Sequence, residues 1–522
     1  MTIVNRRILH EGATKGRRLG SWGDKTTDAI TESSNDLQIL RNRVRTLRRD
    51  NAWTSRGNSV DGSNVIGTGI RPIAMTSDKA FNESVTDAHT EWARDVSYTN
   101  SGTSLYALQL QIRQAKRESG ECFVLIKRGR LDRVNNVVPL KFQLLESDYC
   151  PLTMCFVLQN GNSIINGVEL NSRGLVVAYH FYTAHPNEFY NVTIKREQFI
   201  RVPVKDVLHY FDKDRPSQLR GKPKISNSIV TARTFDTYND AELVRKKSRA
   251  SLIGTIERDA YDENDYKFDP MTGQPLTEDE GVPLMDLQDG TFHALLAGER
   301  LNLAASDDAG SGFRDYQEFQ LLQIAASHGV PYQLLTGDWS GINDRVWRAI
   351  LNQYKREVQQ EQELSIIPTV CDPIYREFIN RGVMSSILTL PDFATSYEKY
   401  KVKHRTQTWE YIHPEQDVNS DIKRLQAGLT SREAIISKRG DHGVTVESID
   451  RERELDKKRE LDKNLRSLAN FSKLENEFDI NDDGVIDIAQ TGETANNSDG
   501  TPKEADVTNM DKSKTRLKNE ED

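Results

Sequence analysis

The stretch from Phe313 to Ile367 constrains the fold most, because a helical period runs into a glycine–proline stop and then starts again. Phe313, Tyr316, Phe319, Leu322, Ile324 and Ala326 recur at helical spacing, with Arg314, Gln317, Glu318 and Gln323 between them. Gly329 and Pro331 end that helix near His328. Asn343 or Asp344 then caps a second helix carrying Val346, Trp347, Ile350, Leu351, Tyr354 and Val358. The second helix can reach Ile367, roughly 33 Å at about 1.5 Å per residue, before Pro368 bends it. Periodicity alone describes a helical hairpin in a large protein.

The wording of the connection is more specific. The run Ile324-Ala325-Ala326-Ser327-His328-Gly329-Val330-Pro331-Tyr332-Gln333-Leu334-Leu335-Thr336-Gly337-Asp338 resembles the signature of lambda-type bacteriophage portal proteins. In that family it joins a stem helix to the long wing helix and overhangs the DNA channel as the tunnel loop. Asn343 and Arg348 match the family's continuation, whereas Asp344, Arg345 and Val346 depart from it.

The length of 522 residues suggests about three or four domains. With 36% hydrophobic and 28% charged residues the chain can bury a sizeable core, yet it is polar for its size. A net charge of −8 gives no reason to expect a tight grip on nucleic acid. A conduit gains from that, since each phosphate paired with Lys or Arg adds salt-sensitive affinity and friction. Cys122, Cys150, Cys155 and Cys371 form no metal-ligand pattern and read as buried free thiols of a reducing compartment. No apolar run approaches the roughly 20 residues that span a bilayer, and the N-terminus lacks a signal-peptide core.

Residues 1–36 read as a flexible arm. A helix follows from Leu37 to Asn51 with Leu37, Leu40, Val44 and Leu47 on one face and Arg41, Arg43, Arg45, Arg48 and Arg49 on the rest. It is either a nucleic-acid or partner-binding helix or an ordinary solvated face. Gly67-Thr68-Gly69-Ile70 resembles a family segment and is no phosphate loop, because Thr68 stands where the lysine is required. A helix from Leu105 to Glu118 ends at Gly120, and the period then becomes that of strands at 122–126, 140–145, 175–182 and 207–211. Asn166-Gly167 is a two-residue hairpin turn. His180, His185 and His209 share no ligand spacing and read as structural.

Arg215 to Pro223 resembles the family's segment leading into the first stem helix, which the spacing of Ile225, Ile229, Ala232, Phe235, Leu243 and Ala250 extends from Ile225 to Glu257. Lys246, Lys247 and Arg249 form a basic patch that faces either passing phosphates or solvent. Thr291–Leu296 and Arg300–Leu303 read as two strands around Gly298-Glu299, matching the family's clip. Beyond Pro368 the long helix resumes and stops at Gly382. Thr430-Ser431-Arg432-Glu433 forms a capping box in which Glu433 reaches back to Thr430. The repeat Arg453–Lys457 and Arg459–Lys463 is a short charged helix. Asp479, Asn481, Asp483 and Asp487 follow a calcium loop through its central Gly484, but Gln490 stands where a bidentate Glu is needed. A weak calcium loop and an Asp/Asn-rich turn are the two readings.

No Walker lysine motif, His-Glu-x-x-His, Cys-x-x-Cys pair or Gly-x-Ser-x-Gly elbow occurs. The resemblance therefore implies a non-enzymatic α+β portal fold with no cofactor. Its parts are an arm at 1–36, an α+β wing at 37–223, a first stem helix at 224–257 and a clip at 258–312. A second stem helix at 313–328, a tunnel loop at 329–343, a long wing helix and return at 344–413, a helical crown at 414–470 and an acidic flexible tail at 471–522 complete it. It further implies a ring of twelve copies at one capsid vertex, a head–tail connector for viral genome packaging and ejection. The implied partners are the large terminase subunit, the major capsid protein, scaffold, a head-completion adaptor and double-stranded DNA passing non-specifically. Assembly is expected in the host bacterial cytoplasm, without a membrane. Val330, Tyr332, Gln333, Trp339 and Asn343 are the candidate channel residues, and Asp289, Thr291, Glu299 and Arg300 the candidate docking residues of the clip. The competing reading is a nucleic-acid-processing enzyme with a metal site assembled from dispersed carboxylates.

Overall fold

One residue, Asn51, ends one helix and begins the next. The computed structural model describes residues 27–34, 36–130, 137–187, 198–251, 254–258, 299–303, 312–389, 397–409, 414–439, 446–462, 478–480 and 486–488. The chain forms two units, 1–410 and 411–522. In the first, α1 (Ala29–Ser34) precedes α2 (Leu37–Asp50) and α3 (Ala52–Val65). The Asn51 amide bonds Leu47 at 2.8 Å to close α2, and its side chain accepts the Thr54 amide at 2.8 Å to open α3. Asp78 caps α4 (Lys79–Trp92), and Ser104 caps α5 (Leu105–Ser119), which stops where Gly120 turns left-handed at φ 87°.

Strand β1 (Arg71–Ala74) lies between α3 and α4, while β2 (Glu121–Arg128), β3 (Leu140–Leu145) and the later β9 (Val207–Phe211) form a three-stranded antiparallel sheet in the order β3-β2-β9. Between them, β4 (Phe156–Val157), β5 (Ser163–Ile165), β6 (Val168–Leu170), β7 (Val176–Tyr182) and β8 (Phe199–Pro203) make a second sheet in sequential order. The expected Asn166-Gly167 turn joins β5 to β6 with both residues at positive φ. Alternation explains why β2 is buried on both faces. Cys122, Val124 and Ile126 enter the helical core with Trp92, Phe142 and Phe378, while Phe123 and Leu125 pack on Tyr179 and Phe181 of the second sheet. Cys155, expected to be buried, is the one exposed thiol of the four.

The helix expected from Ile225 to Glu257 is shorter than its spacing suggested. A 3-10 turn at Lys224–Ser228 leads into α6 (Ile229–Ser251), and the chain then turns to strand β10 (Gly254–Arg258), paired with β11 (Glu299–Leu303). Gly254 is a poor helix former and the β-branched Thr255 and Ile256 favour a strand. The partner of 299–303 is thus 254–258; the strand expected at Thr291–Leu296 lies outside the described residues. Ile225, Ile229, Ala232 and Phe235 are buried against Leu321, Ile324 and Ala325 of α7 (Gly312–His328), but Leu243 is exposed. On α7 itself the period has rotated: Phe319 and Leu322 face out, 58% and 46% exposed, and the buried row is Leu321, Ile324, Ala325 and His328.

After α7 come a short helix α8 (Tyr332–Thr336) and the long rod. The rod is α-helical over α9 (Asp344–Glu361), π-helical over Gln362–Cys371, which contains Pro368, and α-helical again over α10 (Asp372–Met384), which continues beyond the Gly382 stop that was expected. The wider winding accommodates a proline that has no amide proton to give. The rod ends where Ser386 adopts φ 57°. Strand β12 (Val402–Arg405) closes the unit by pairing with β1.

In the second unit, α11 (Pro414–Gln426), α12 (Arg432–Arg439) and α13 (Val446–Asp462) precede a two-stranded pair, β13 (Phe478–Ile480) and β14 (Ile486–Ile488). The cap of α12 is Ser431, whose hydroxyl accepts the Ala434 amide at 3.1 Å; the helix starts one residue later than a Thr430 box requires.

Candidate functional site

The connection between α7 and α9 is fixed at both ends. At its start Gly329 donates to Ala326 and Val330 to Ala325, both at 3.1 Å, with Gly329 at φ 64°. This is a Schellman stop, sealed by the buried pair Val330 and Ala325. His328, the last residue of α7, is held from α5: Arg117 Nη2 donates to its carbonyl at 3.0 Å and lies 3.0 Å from its Nδ1. Burial, and then the Arg117 charge, push the imidazole down to about 3, so it is neutral, with Nδ1 the acceptor.

The same arginine reaches Asn58 at 3.1 Å and Asp61 at 2.8 Å on α3. Asp61 also takes two bonds from Arg113, at 2.7 and 2.9 Å. Arg113 and Lys116 in turn hold Glu361, the last residue of α9, with Tyr210 Oη donating to it at 3.0 Å. Lys116 also meets Asp212 at 2.6 Å. Three cations thus face three carboxylates, which is the condition for a buried ionic network to be sustained. Asp61 and Glu361 are held below the ordinary carboxylate range by Arg113, joined by Arg117 for Asp61 and Lys116 for Glu361, against the burial that opposes it. The last residue of α7 and the last residue of α9 are therefore tied to one face of α5.

Between those anchors the candidate residues separate by environment. Val330 is buried, and Tyr332 packs on the core shared by α2, α6 and α7. Gln333 is half-buried on α8. Gly337 and Gly341 both take φ 74°, and Asp338 accepts the Ser340 amide and hydroxyl, so the tip is a defined turn. Trp339 is 51% exposed and meets Trp347 edge-on at 4.7 Å. Asn343 caps α9, its Oδ1 accepting the Val346 amide at 2.9 Å. Val330, Tyr332 and Asn343 build the connection, and Trp339 is what it presents.

The other candidates are dispersed. Lys246 and Lys247 are exposed on α6, with Lys246 Nζ 5.0 Å from the ring centre of Phe313 across the stem; the Arg249 side chain lies outside the described residues. Asp289 and Thr291 are outside them too. Glu299 and Arg300 are the register partners of Arg258 and Glu257 in the β10–β11 pair. Asp479 and Asp487 are register partners in β13–β14, while Asn481 and Asp483 lie outside the described residues.

The arginine-rich helix α2 is divided: Arg43 and Arg49 are exposed, as a solvated face requires, whereas Arg41, Arg45 and Arg48 turn inward. Arg41 is fully buried and donates to Glu121 at 2.6 Å and to the Ser119 carbonyl at 3.0 Å. Arg45 binds Asp148 and lies 3.2 Å from Glu146, and Arg48 binds Glu118. The missed signal was spacing: positions 41, 45 and 48 share one face at i, i+4 and i+7. Glu121 is the hub of that side. It takes Arg220 on both oxygens at 2.8 and 3.0 Å, His209 at 3.0 Å and the Gly221 amide at 2.9 Å. Gly221 must be glycine, since a Cβ there would stand 2.1 Å from the Gly120 carbonyl oxygen. The histidines left without a ligand pattern also meet carboxylates: His180 Nε2 lies 3.1 Å from Glu169, and His185 Nε2 3.9 Å from Glu146. Glu146, Asp148 and His185 converge within 4.8 Å, but the Arg45 guanidinium already sits against both carboxylates and supplies the positive charge a metal would.

A family model for phage portal proteins of the lambda family matches residues 15–362. A probable portal protein of Halomonas phage phiHAP-1 is 22% identical over 439 residues, covering 82% of this chain and 82% of that protein. Portal protein B of Escherichia phage lambda is 20% identical over 252 residues, 45% of this chain and 47% of that protein. Among solved structures, a chain from the neck of a native gene transfer agent particle, computed with C12 symmetry, superposes with a TM-score of 0.45 at 13% identity, covering 78% of this chain and 94% of that one. The match defines a virion component that acts as a portal. The chain belongs to the lambda family of phage portal proteins. Among the described residues no helix is long and apolar enough to cross a membrane.

Proposed function

We propose that twelve copies close into a ring at one capsid vertex, and that the terminase motor drives double-stranded DNA through its bore, the same path serving ejection. The observation that carries this is the apolar surface the stem leaves uncovered in a single chain. On α6, Val230 is 75% exposed and Leu243 and Val244 are exposed, and on α7 so are Phe319 and Leu322, although each helix buries its opposite side against the other. Two different uncovered faces suit a heterologous contact, in which one face of each copy meets the other face of the next and closure gives a ring. In this reading the stem pair lines the bore and the 329–343 connection narrows it, with Trp339 and Gln333 touching DNA or neighbouring loops. The basic patch of Lys246 and Lys247 faces the passing phosphates. The clip, around Glu299 and Arg300, receives the terminase and later a head-completion adaptor, while other surfaces meet scaffold and the major capsid protein.

Native mass spectrometry of the purified assembly tests the ring. The wild type is expected at twelve chain masses, and Phe319→Asp with Leu322→Asp should leave monomers whose circular dichroism is unchanged. Full-sized rings from that double variant would refute the stem interface. The competing enzyme reading loses part of its support, because three of the five arginines that suggested nucleic-acid handling, Arg41, Arg45 and Arg48, are spent on internal carboxylates.

A further inference from the structure

The β1–β12 ribbon carries cations on one face and is nailed down by the other. Along Tyr397-Glu398-Lys399-Tyr400-Lys401-Val402-Lys403-His404-Arg405, four cations stand against one carboxylate, at every second residue. Strand alternation sorts them. Val402 packs on the main core, and His404 Nε2 lies 2.6 Å from Asp372 and edge-on to Tyr375. The opposite face is left to Lys401, Lys403 and Arg405. The register continues upward, since the Met75 amide donates to the Lys401 carbonyl at 3.0 Å. Successive cations are therefore about 7 Å apart along a rigid, extended backbone.

The neighbouring strand adds to the charge instead of cancelling it. Arg71 is the register partner of Arg405, so two guanidinium side chains share a face directly across the ribbon, an arrangement that costs stability. Arg71 lies over the Tyr106 ring at 5.1 Å, and Lys403 is exposed opposite Ile73. Among the described residues no carboxylate forms an ion pair with Lys403 or Arg71. Among the described residues the carboxylate paired with Lys401 is Glu398, at 3.8 Å and itself bound to the Ser77 amide. Arg405 is buried and contributes field, not contact.

We infer that this ribbon is a binding surface for the sugar-phosphate backbone of double-stranded DNA, with Lys401, Lys403 and Arg71 as its phosphate contacts. A straight, regularly spaced row of cations without an apolar recess fits a polyanion of regular charge and offers nothing to read a base or a folded epitope. The ribbon shares no residue with the 329–343 connection or with the α6 patch, so its variants leave the residues assigned to the proposed bore in place. Its Lys and Arg row would bind DNA in a salt-dependent manner, where a smooth conduit would not.

The test uses the full-length assembled protein and a fluorescent duplex of random sequence, with affinity measured by anisotropy across a salt series. Lys401→Gln with Lys403→Gln is expected to weaken binding at least tenfold at low salt and to flatten the log–log salt slope by about 2. Lys401→Arg with Lys403→Arg should retain both. Lys205→Gln, at an exposed lysine elsewhere, should change neither. Assembly mass checks that each variant is intact, and Lys403→Gln alone, with about half the effect, serves if the double variant fails to assemble. Unchanged affinity and slope in an intact variant would overturn the inference. So would unchanged DNA binding together with lost co-assembly with an acidic capsid component.

Discussion

The guanidinium of Arg117 donates to the backbone carbonyl of His328 and lies 3.0 Å from that residue's Nδ1, so one side chain of α5 holds both the backbone and the ring at the last residue of α7. A lysine cannot do this, because its point charge lacks the planar fork that also reaches Asn58 and Asp61. Arg117→Lys is expected to cost about 3 kcal/mol and to speed proteolysis within 329–343. Thermal unfolding and timed digestion measure the two effects. A variant as stable and as resistant as wild type would remove the anchor from the account.

Gly57 of α3 lies beneath the same imidazole, and a Cβ there would stand 2.5 Å from His328 Nδ1. In an open helix, Gly→Ala stabilises by about 1 kcal/mol. Here the ring cannot retreat while Arg117 holds it, and overpacking typically costs about 1–3 kcal/mol. Gly57→Ala should therefore destabilise on balance, but much less so when His328 is already Ala. A double-mutant cycle by thermal unfolding reads that coupling, and additivity of the two changes would refute the contact.

Acid should weaken the protein before its carboxylates titrate. Burial pushes His89 down to about 4 and His328 to about 3. Unfolded histidine titrates near 6.5, so between that pH and these depressed values the unfolded chain binds protons the folded one refuses, and stability falls as pH falls. His89 alone accounts for about 2 kcal/mol between pH 7 and pH 5. His89 sits edge-on to Trp92 and Phe378, a site that accepts an apolar side chain. His89→Leu should flatten the stability–pH profile over that window, and an unaltered slope would place the proton uptake elsewhere.

Helix stops, the hairpin turn, the α9 cap and strand alternation were legible in the sequence, because Gly120, Asn166, Gly329 and Asn343 act on their immediate neighbours. Inward-facing charge was not. Residue type does not distinguish Arg41, whose partner Glu121 lies 80 residues on, from Arg43, which is exposed; only the shared face of positions 41, 45 and 48 does. The stem face was misread for a related reason. Phe319 and Leu322 carry the apolar period of α7, yet the chain leaves them uncovered, because an apolar period does not say which of its rows meets the neighbouring helix. The π winding of Gln362–Cys371 was hidden too, since Pro368 announces a bend without specifying how the backbone absorbs it. Within the candidate connection, the family wording located the segment, but only burial separated Trp339 from Val330.

Glu121 and Arg41 provide a last comparison, in which an ordering decides. Glu121 is fully buried between Arg220 and Arg41, whose charges hold its carboxyl far below the ordinary range against the cost of burial. Replacing it with Gln leaves two buried guanidinium groups with no carboxylate at their centre and turns an amide NH2 towards donors that have no acceptor to offer it. A loss of about 3–5 kcal/mol is expected. Arg41→Met removes one cation and leaves the two-oxygen contact between Arg220 and Glu121 balanced, one charge against one. Burial also lowers the Arg41 pKa, so that side chain already carries a desolvation cost that its removal relieves. Glu121→Gln should therefore be the more damaging of two substitutions that break the same 2.6 Å bond. Melting temperatures of the two variants at neutral pH check this, and the reverse order would mean that the packing of the Arg41 stem against α5, not the charge balance around Glu121, holds this side of the fold.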